Sequence, residues 1–110
     1  MSDCIFCKIV AGESPSKKVM EDDHVIVIHD IHPEAPVHLL VISKEHHTDI
    51  TDMGDKLYEN YMNSVRNVIK LQQIKQFRIV HNGKGAQFIP HAHVHVMGSI
   101  DVDRKLYNVI

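Results

Sequence analysis

From His91 to Met97 the chain reads His-Ala-His-Val-His-Val-Met, an alternation at period two. That is a strand pattern: Ala92, Val94 and Val96 share one face, and three histidines share the other. A second run, Val37 to Ser43, is apolar and β-branched with His38 as its interior polar residue, which predicts a central strand. Residues 18–21 and 25–30, separated by Asp22-Asp23-His24, predict an antiparallel hairpin, and residues 77–81 a further strand. Between residues 55 and 73 the spacing changes, and Leu57, Tyr58, Tyr61, Met62, Val65, Val68 and Ile69 follow a helical period, with Thr51 and Asp52 as candidate caps. Residues 4–10 read as a short helix closed at Ala11-Gly12, with Pro15 beyond it. These elements predict an α+β fold: an antiparallel sheet of about five strands with one long and one short helix. One domain over residues 1–110 is expected, its core over residues 4–98 and a short tail over 99–110.

Composition narrows the function. A chain of 110 residues with 44% hydrophobic content suits one compact core. A net charge of −2, a pI near 6.5 and scattered cations give no footprint for nucleic acid. No apolar run nears the roughly 20 residues needed to cross a bilayer, and the first residues do not resemble a secretory leader, so a cytoplasmic protein with no membrane partner is expected. In a reducing compartment the pair Cys4 and Cys7 points to a metal or redox element. A redox pair would follow a strand, and none precedes it. A metal site would need two more ligands from far along the chain, and histidine is the plausible supply.

Imidazole titrates near neutrality, so a row of three can offer a nucleophile, proton donors or metal ligands. Three ligands on one ion would be strained, since residues 91 and 95 of a strand lie roughly 13 Å apart. A polar surface row is the plain alternative, but selecting histidine three times in one register points to a site. His38 is either a buried histidine satisfied by backbone groups or a member of that site. The loop from Asn82 to Gln87 carries Gly83 and Gly85 just before the histidine strand, which would let backbone amides approach an anion or would simply connect two strands.

The motif His91 to Met97 closely resembles the signature of the histidine triad (HIT) superfamily. Further blocks resemble it in order: Ile5-Phe6-Cys7-Lys8-Ile9, Glu21-Asp22-Asp23, His29-Asp30-Ile31, Pro33-Glu34-Ala35-Pro36-Val37-His38, Val41-Ile42-Ser43-Lys44 and Gln87. The block ending in His38 is most similar to the nucleotide-binding Hint branch. The resemblance implies the HIT fold and hydrolysis at the α-phosphate of a purine nucleoside phosphoramidate, an AMP or GMP derivative, through a nucleotidyl-histidine intermediate. It implies His93 as nucleophile and His38 and His95 on the phosphate oxygens, with Gln87 and Asn82 nearby. Asp30 would accept from the ribose hydroxyls, and Phe6, Ile9, His29 and Ile31 would form the base pocket. It also implies a homodimer, no organic cofactor, and a structural zinc on Cys4, Cys7, His46 and His91, with His47 as a substitute ligand.

This chain departs from the family pattern at several points. Phe88 stands where a small hydroxyl residue is common, which bears on the leaving group. The loop before the triad is one residue shorter, so either His81 or Asn82 can occupy the family's asparagine position, Asn82 being preferred. No tryptophan is present, so a tail contribution to a neighbouring subunit's site is not carried over. Competing functions are a nucleotide-binding regulatory module with vestigial catalysis, a dinucleoside polyphosphate hydrolase or nucleotidyltransferase, and a metal-handling protein.

Overall fold

The computed structural model describes residues 3–105. In chain order the elements are α1 (Ile5–Val10), β1 (Lys18–Glu21), β2 (Val25–His29), β3 (Val37–Ser43), a 3-10 turn (Ile50–Asp52), α2 (Asp55–Leu71), β4 (Arg78–His81) and β5 (His93–Gly98). The five strands form one sheet in the order β1-β2-β3-β5-β4, and every neighbouring pair is antiparallel. The α+β expectation holds, and β3 is central as predicted. The tail expected over residues 99–110 is described only as far as residue 105; residues 106–110 lie outside the described residues.

β2 and β3 read Val-Ile-Val-Ile and Leu-Leu-Val-Ile, without polar alternation, because both sheet faces are covered. On one face Val25, Val27, Leu39, Val41, Val94 and Val96 pack against Tyr61, Val65 and Val68 of α2. On the other face Ile26, Ile28, Leu40 and Ile42 pack against Phe6 of α1. Burying each such aliphatic side chain contributes about 1.5 to 3 kcal/mol, so the two layers fix the sheet from both sides. The Tyr61 hydroxyl, deep in the first layer, donates to the Val41 carbonyl at 2.9 Å.

Local chemistry sets the boundaries. Asp22 closes the first hairpin by accepting from the amides of His24 and Val25 at 2.7 and 2.9 Å. α1 begins at Cys4, whose sulfur accepts the Cys7 amide at 3.4 Å, and is followed by Gly12 in a left-handed conformation at φ +79°. Thr51 and Asp52 do not cap α2: they lie in the 3-10 turn, and Gly54 occupies the cap position with no side-chain bond. α2 also stops at Leu71, short of residue 73, because Gln73 turns left-handed at φ +53°. Tyr58 is exposed on α2, and Phe77 precedes β4 and is 47% exposed.

The largest difference lies in β5, which starts at His93 and not at His91. Ile42 is the last β3 residue paired in register with it, opposite His93. Beyond that point Ala92 bonds instead to the His47 carbonyl and receives the Ser43 amide, while His91 turns back on Ile89. The histidine row is thereby divided between a strand and the loop before it.

Candidate active site

The three histidines do not form an exposed polar row: His91, His93 and His95 are all buried, as is His38. In β3 and β5 the paired residues share a face, so Leu40 lies beside His95 and Ile42 beside His93 on the face that α1 covers. Phe6 of α1 packs edge-on against His93 with ring centroids 4.9 Å apart, and His93 and His95 stand at 5.1 Å.

Hydrogen bonding assigns the protons. The Glu34 amide donates to Nδ1 of His38 at 2.9 Å, so the neutral His38 ring carries its proton on Nε2. That Nε2–H lies 2.8 Å from Nδ1 of His95 and 3.3 Å from Oδ2 of Asp30. His95 therefore accepts on Nδ1 and holds its own proton on Nε2, a buried atom with no hydrogen-bond partner among the described residues. His93 has the opposite tautomer. Its Nδ1–H donates to the His91 carbonyl at 2.7 Å, which leaves the lone pair on Nε2. A ring nitrogen bearing a lone pair and a ring N–H thus stand on adjacent same-face positions of one strand.

Burial pushes the His95 imidazole down to about 3, with the neighbouring His93 and His38 adding to the effect. His38 is also pushed down by burial, against the opposing pull of Asp30 and Glu34. Both rings therefore stay neutral near pH 7, as the tautomer assignment requires.

Both nitrogens of His38 are engaged inside the protein, by the Glu34 amide and by Nδ1 of His95. The Gln87 side-chain amide donates to the carbonyls of Thr48 and Asn82 at 3.1 and 3.0 Å, leaving its buried Oε1 as an acceptor. His81 spans the Ile50 amide at 3.2 Å and the His93 carbonyl at 3.0 Å, so it braces β5. Of the two candidates for the loop position, His81 is thus committed to the scaffold.

Beside this row is a cavity of about 280 Å³. Its walls include the expected Phe6, Ile9, His29, Asp30 and Ile31, Ile31 being 82% exposed. Ile28, Leu40, His32 and Ile89 also line it, and sequence reasoning did not name them. Ile28 and Leu40 carry a readable signal, since each lies two residues from another site-face position, Ile26 and Ile42 respectively. Asp30 is buried at the cavity wall, with Oδ1 accepting the His32 amide at 2.8 Å. Phe88 does not line this cavity; it is 75% exposed and borders a separate one beside Cys4 and His46.

Cys4, Cys7, His46 and His91 come together as a second group, with donor atoms all within 4.8 Å of one another. The Nδ1 of His91 lies 3.2 Å from the Cys4 sulfur and 3.5 Å from that of Cys7, and Nδ1 of His46 lies 3.1 Å from Cys7. Metal bonds of about 2.0 to 2.3 Å at tetrahedral angles place nitrogen and sulfur roughly 3.5 Å apart, so the set fits one ion with little movement. The Nε2–H of His91 donates to the Ser43 carbonyl at 2.6 Å, which turns the Nδ1 lone pair toward the thiols. Burial pushes the Cys7 thiol up, with the neighbouring Cys4 adding to it, a penalty that a cation would reverse. These four residues could bind a metal. His47 is not among them, being engaged by Glu45 and Asp52. Asp30, His38 and His95 are also mutually close, but the proton on His38 Nε2 makes that trio a hydrogen-bond network.

An open antiparallel sheet of five strands with a histidine row on its α1 face defines the histidine triad class, and comparison agrees. The HIT domain family model matches residues 11–101, and the chain belongs to the HIT family. Protein pkiA of Dictyostelium discoideum is 36% identical over 105 residues, covering 87% of this chain and 83% of that protein. A histidine triad protein of known structure from Clostridium difficile superposes with a TM-score of 0.81 at 36% identity, covering 100% of this chain and 98% of that one. A HIT family hydrolase from Legionella pneumophila gives a TM-score of 0.81 at 34% identity over 90% and 95% of the two chains. Among the described residues no helix is long and apolar enough to cross a membrane.

Proposed function

We propose that this protein is a nucleotidyl hydrolase acting at the α-phosphate of a purine nucleoside phosphoramidate or a related nucleotidyl substrate. The observation that carries the reading is the pair of opposite tautomers, a lone pair on Nε2 of His93 beside a proton on Nε2 of His95. In the first step the His93 nitrogen attacks phosphorus, an N–P bond forms, and the bond to the leaving amine breaks. The His95 Nε2–H stabilises the charge gathering on the phosphoryl oxygens, a contribution of about 3 to 4 kcal/mol for a well-placed donor. The departing amine takes up a proton from solvent. Water then attacks the same phosphorus and gives a proton back as the bond from phosphorus to His93 breaks, which releases the nucleoside monophosphate and restores the His93 lone pair.

The cavity walled by Phe6, Ile9, Ile28 and Leu40 is the proposed seat of a planar purine, with His29, Ile31 and Asp30 also lining it and Asp30 as the acceptor for the ribose hydroxyls in this reading. Asn82 is the loop residue assigned to the phosphate region. In this reading zinc is the ion for Cys4, Cys7, His46 and His91; when bound it supplies a structural cross-link, and the four donors leave no open position for catalysis. The reading includes a homodimer, no organic cofactor and a reducing, cytoplasmic setting in which both cysteines stay as thiols.

Steady-state turnover of adenosine 5′-phosphoramidate tests the proposal, with a dinucleoside polyphosphate as the competing substrate. Release of AMP from the phosphoramidate at a rate lost in His93→Ala supports it. Tight nucleotide binding with no turnover of either compound would make the protein a regulatory binding module.

A further inference from the structure

Resting on the nucleotidyl-hydrolase reading, we propose that Asp30 is also a positioning residue, which couples occupation of the ribose site to the readiness of His95 as a proton donor. The Nε2–H of His38 faces two acceptors, Nδ1 of His95 at 2.8 Å and Oδ2 of Asp30 at 3.3 Å. It has one proton to give, because the other ring nitrogen accepts the Glu34 amide. Asp30 and His95 therefore compete for it. The competition takes place out of water, since His38 and His95 are fully buried and Asp30 nearly so. In such surroundings a shared proton is strongly polarised by whichever acceptor carries more negative charge.

Asp30 is also the member of this network that borders the cavity. Its Oδ1 is held by the His32 amide at 2.8 Å, which leaves Oδ2 to face His38 and any donor entering the cavity. Two ribose hydroxyls donating to this carboxylate would draw its charge toward the ligand and weaken its hold on His38. The His38 proton then passes wholly to the bond with His95 Nδ1. That bond fixes His95 as the Nε2–H tautomer, the form that donates to a phosphoryl oxygen. A substrate without the hydroxyls would still enter the cavity on its base but would leave the proton divided. No proton is gained or lost in this exchange; only its acceptor changes. The ribose contact thus contributes to the chemical step as well as to binding.

Comparing adenosine 5′-phosphoramidate with its 2′,3′-dideoxy counterpart tests this on the unaltered protein. Coupling lowers kcat for the dideoxy substrate by about tenfold in addition to any rise in KM, whereas a contact used for binding alone raises only KM. In Asp30→Asn the carboxylate no longer competes for the proton, so the kcat values of the two substrates should converge to within about twofold. An independent readout is the 15N spectrum of the His95 ring. Saturating adenosine, but not 2′,3′-dideoxyadenosine, should move its two nitrogen signals toward the pure Nε2–H tautomer. Equal kcat values for the two substrates, with His95 signals indifferent to the ribose hydroxyls, would overturn the proposal even if Asp30→Asn proved unable to fold. Absence of turnover with either substrate would defeat the hydrolase reading, while the spectra would still decide the coupling because nucleosides need not react.

Discussion

His91 and His95 are four residues apart, are equally buried, and do opposite things. His91 gives its Nε2–H to a backbone carbonyl and turns a lone pair on Nδ1 toward two sulfurs. His95 accepts on Nδ1 from another imidazole and turns an N–H into the region beside His93. The difference comes from their neighbours: a carbonyl at the end of β3 in one case, and a histidine held by a loop amide in the other. The lesson is that a histidine's role is set by which of its nitrogens the scaffold occupies first. His93 lies between the two and is tied to the first group, because its Nδ1–H rests on the His91 carbonyl.

Substitutions should separate the two groups. The largest effect belongs to His93→Ala, which should lower turnover about 10³-fold or more while nucleotide affinity, measured by calorimetry, changes less than about tenfold. His95→Ala should lower kcat by about 10² to 10³, with a smaller change in KM, because the lost donor acts on charge that develops during reaction. An effect confined to KM would place His95 outside the chemistry.

Cys4→Ser acts on the other group. It should abolish the zinc content measured by elemental analysis and lower Tm, at about 4 to 8 °C for each kcal/mol lost, while the folded fraction keeps kcat within a few fold. A protein purified without chelator that carries no zinc and does not gain stability on its addition would leave the four residues as ordinary packing. Smaller again is Gly98→Ala, at the opposite end of β5 from His93. A Cβ there would meet the Ile74 Cγ2 at 2.5 Å and the Val37 Cβ at 3.2 Å. Overpacking of this kind costs about 1 to 3 kcal/mol, read as a lower urea midpoint with kcat unchanged.

The gentlest perturbation is pH. His95 titrates at about 3 in the folded protein against an ordinary value of 6.5. Below 6.5 the unfolded chain takes up a proton that the folded ring refuses, so this contribution to stability is complete above 6.5 and is lost as the pH falls toward 3. Tm should decline over that window, and His95→Phe should flatten the decline.

Much of this was legible in the chain because period-two spacing and β-branched residues mark β2, β3 and β5 directly. The break in the histidine row was not, since the alternation continues through His91 and Ala92 although the Ala92 amide has left the ladder for the His47 carbonyl. Nor was the end of α2: the left-handed position is filled by Gln73, which lacks the glycine signal. At the site, residue types were readable and hydrogen-bond directions were not. His38 depends on the Glu34 amide, and Gln87 on the carbonyls of Thr48 and Asn82, all supplied by backbone from loops whose path no side-chain pattern encodes.

The central claim is that His93 is a covalent nucleophile. Protein mixed with a slight excess of adenosine 5′-phosphoramidate, quenched within a turnover and digested should show an adenylyl group on the peptide containing His93, and none in His93→Ala. Turnover that proceeds with no adduct at any quench time, or an adduct on a different residue, would contradict the account.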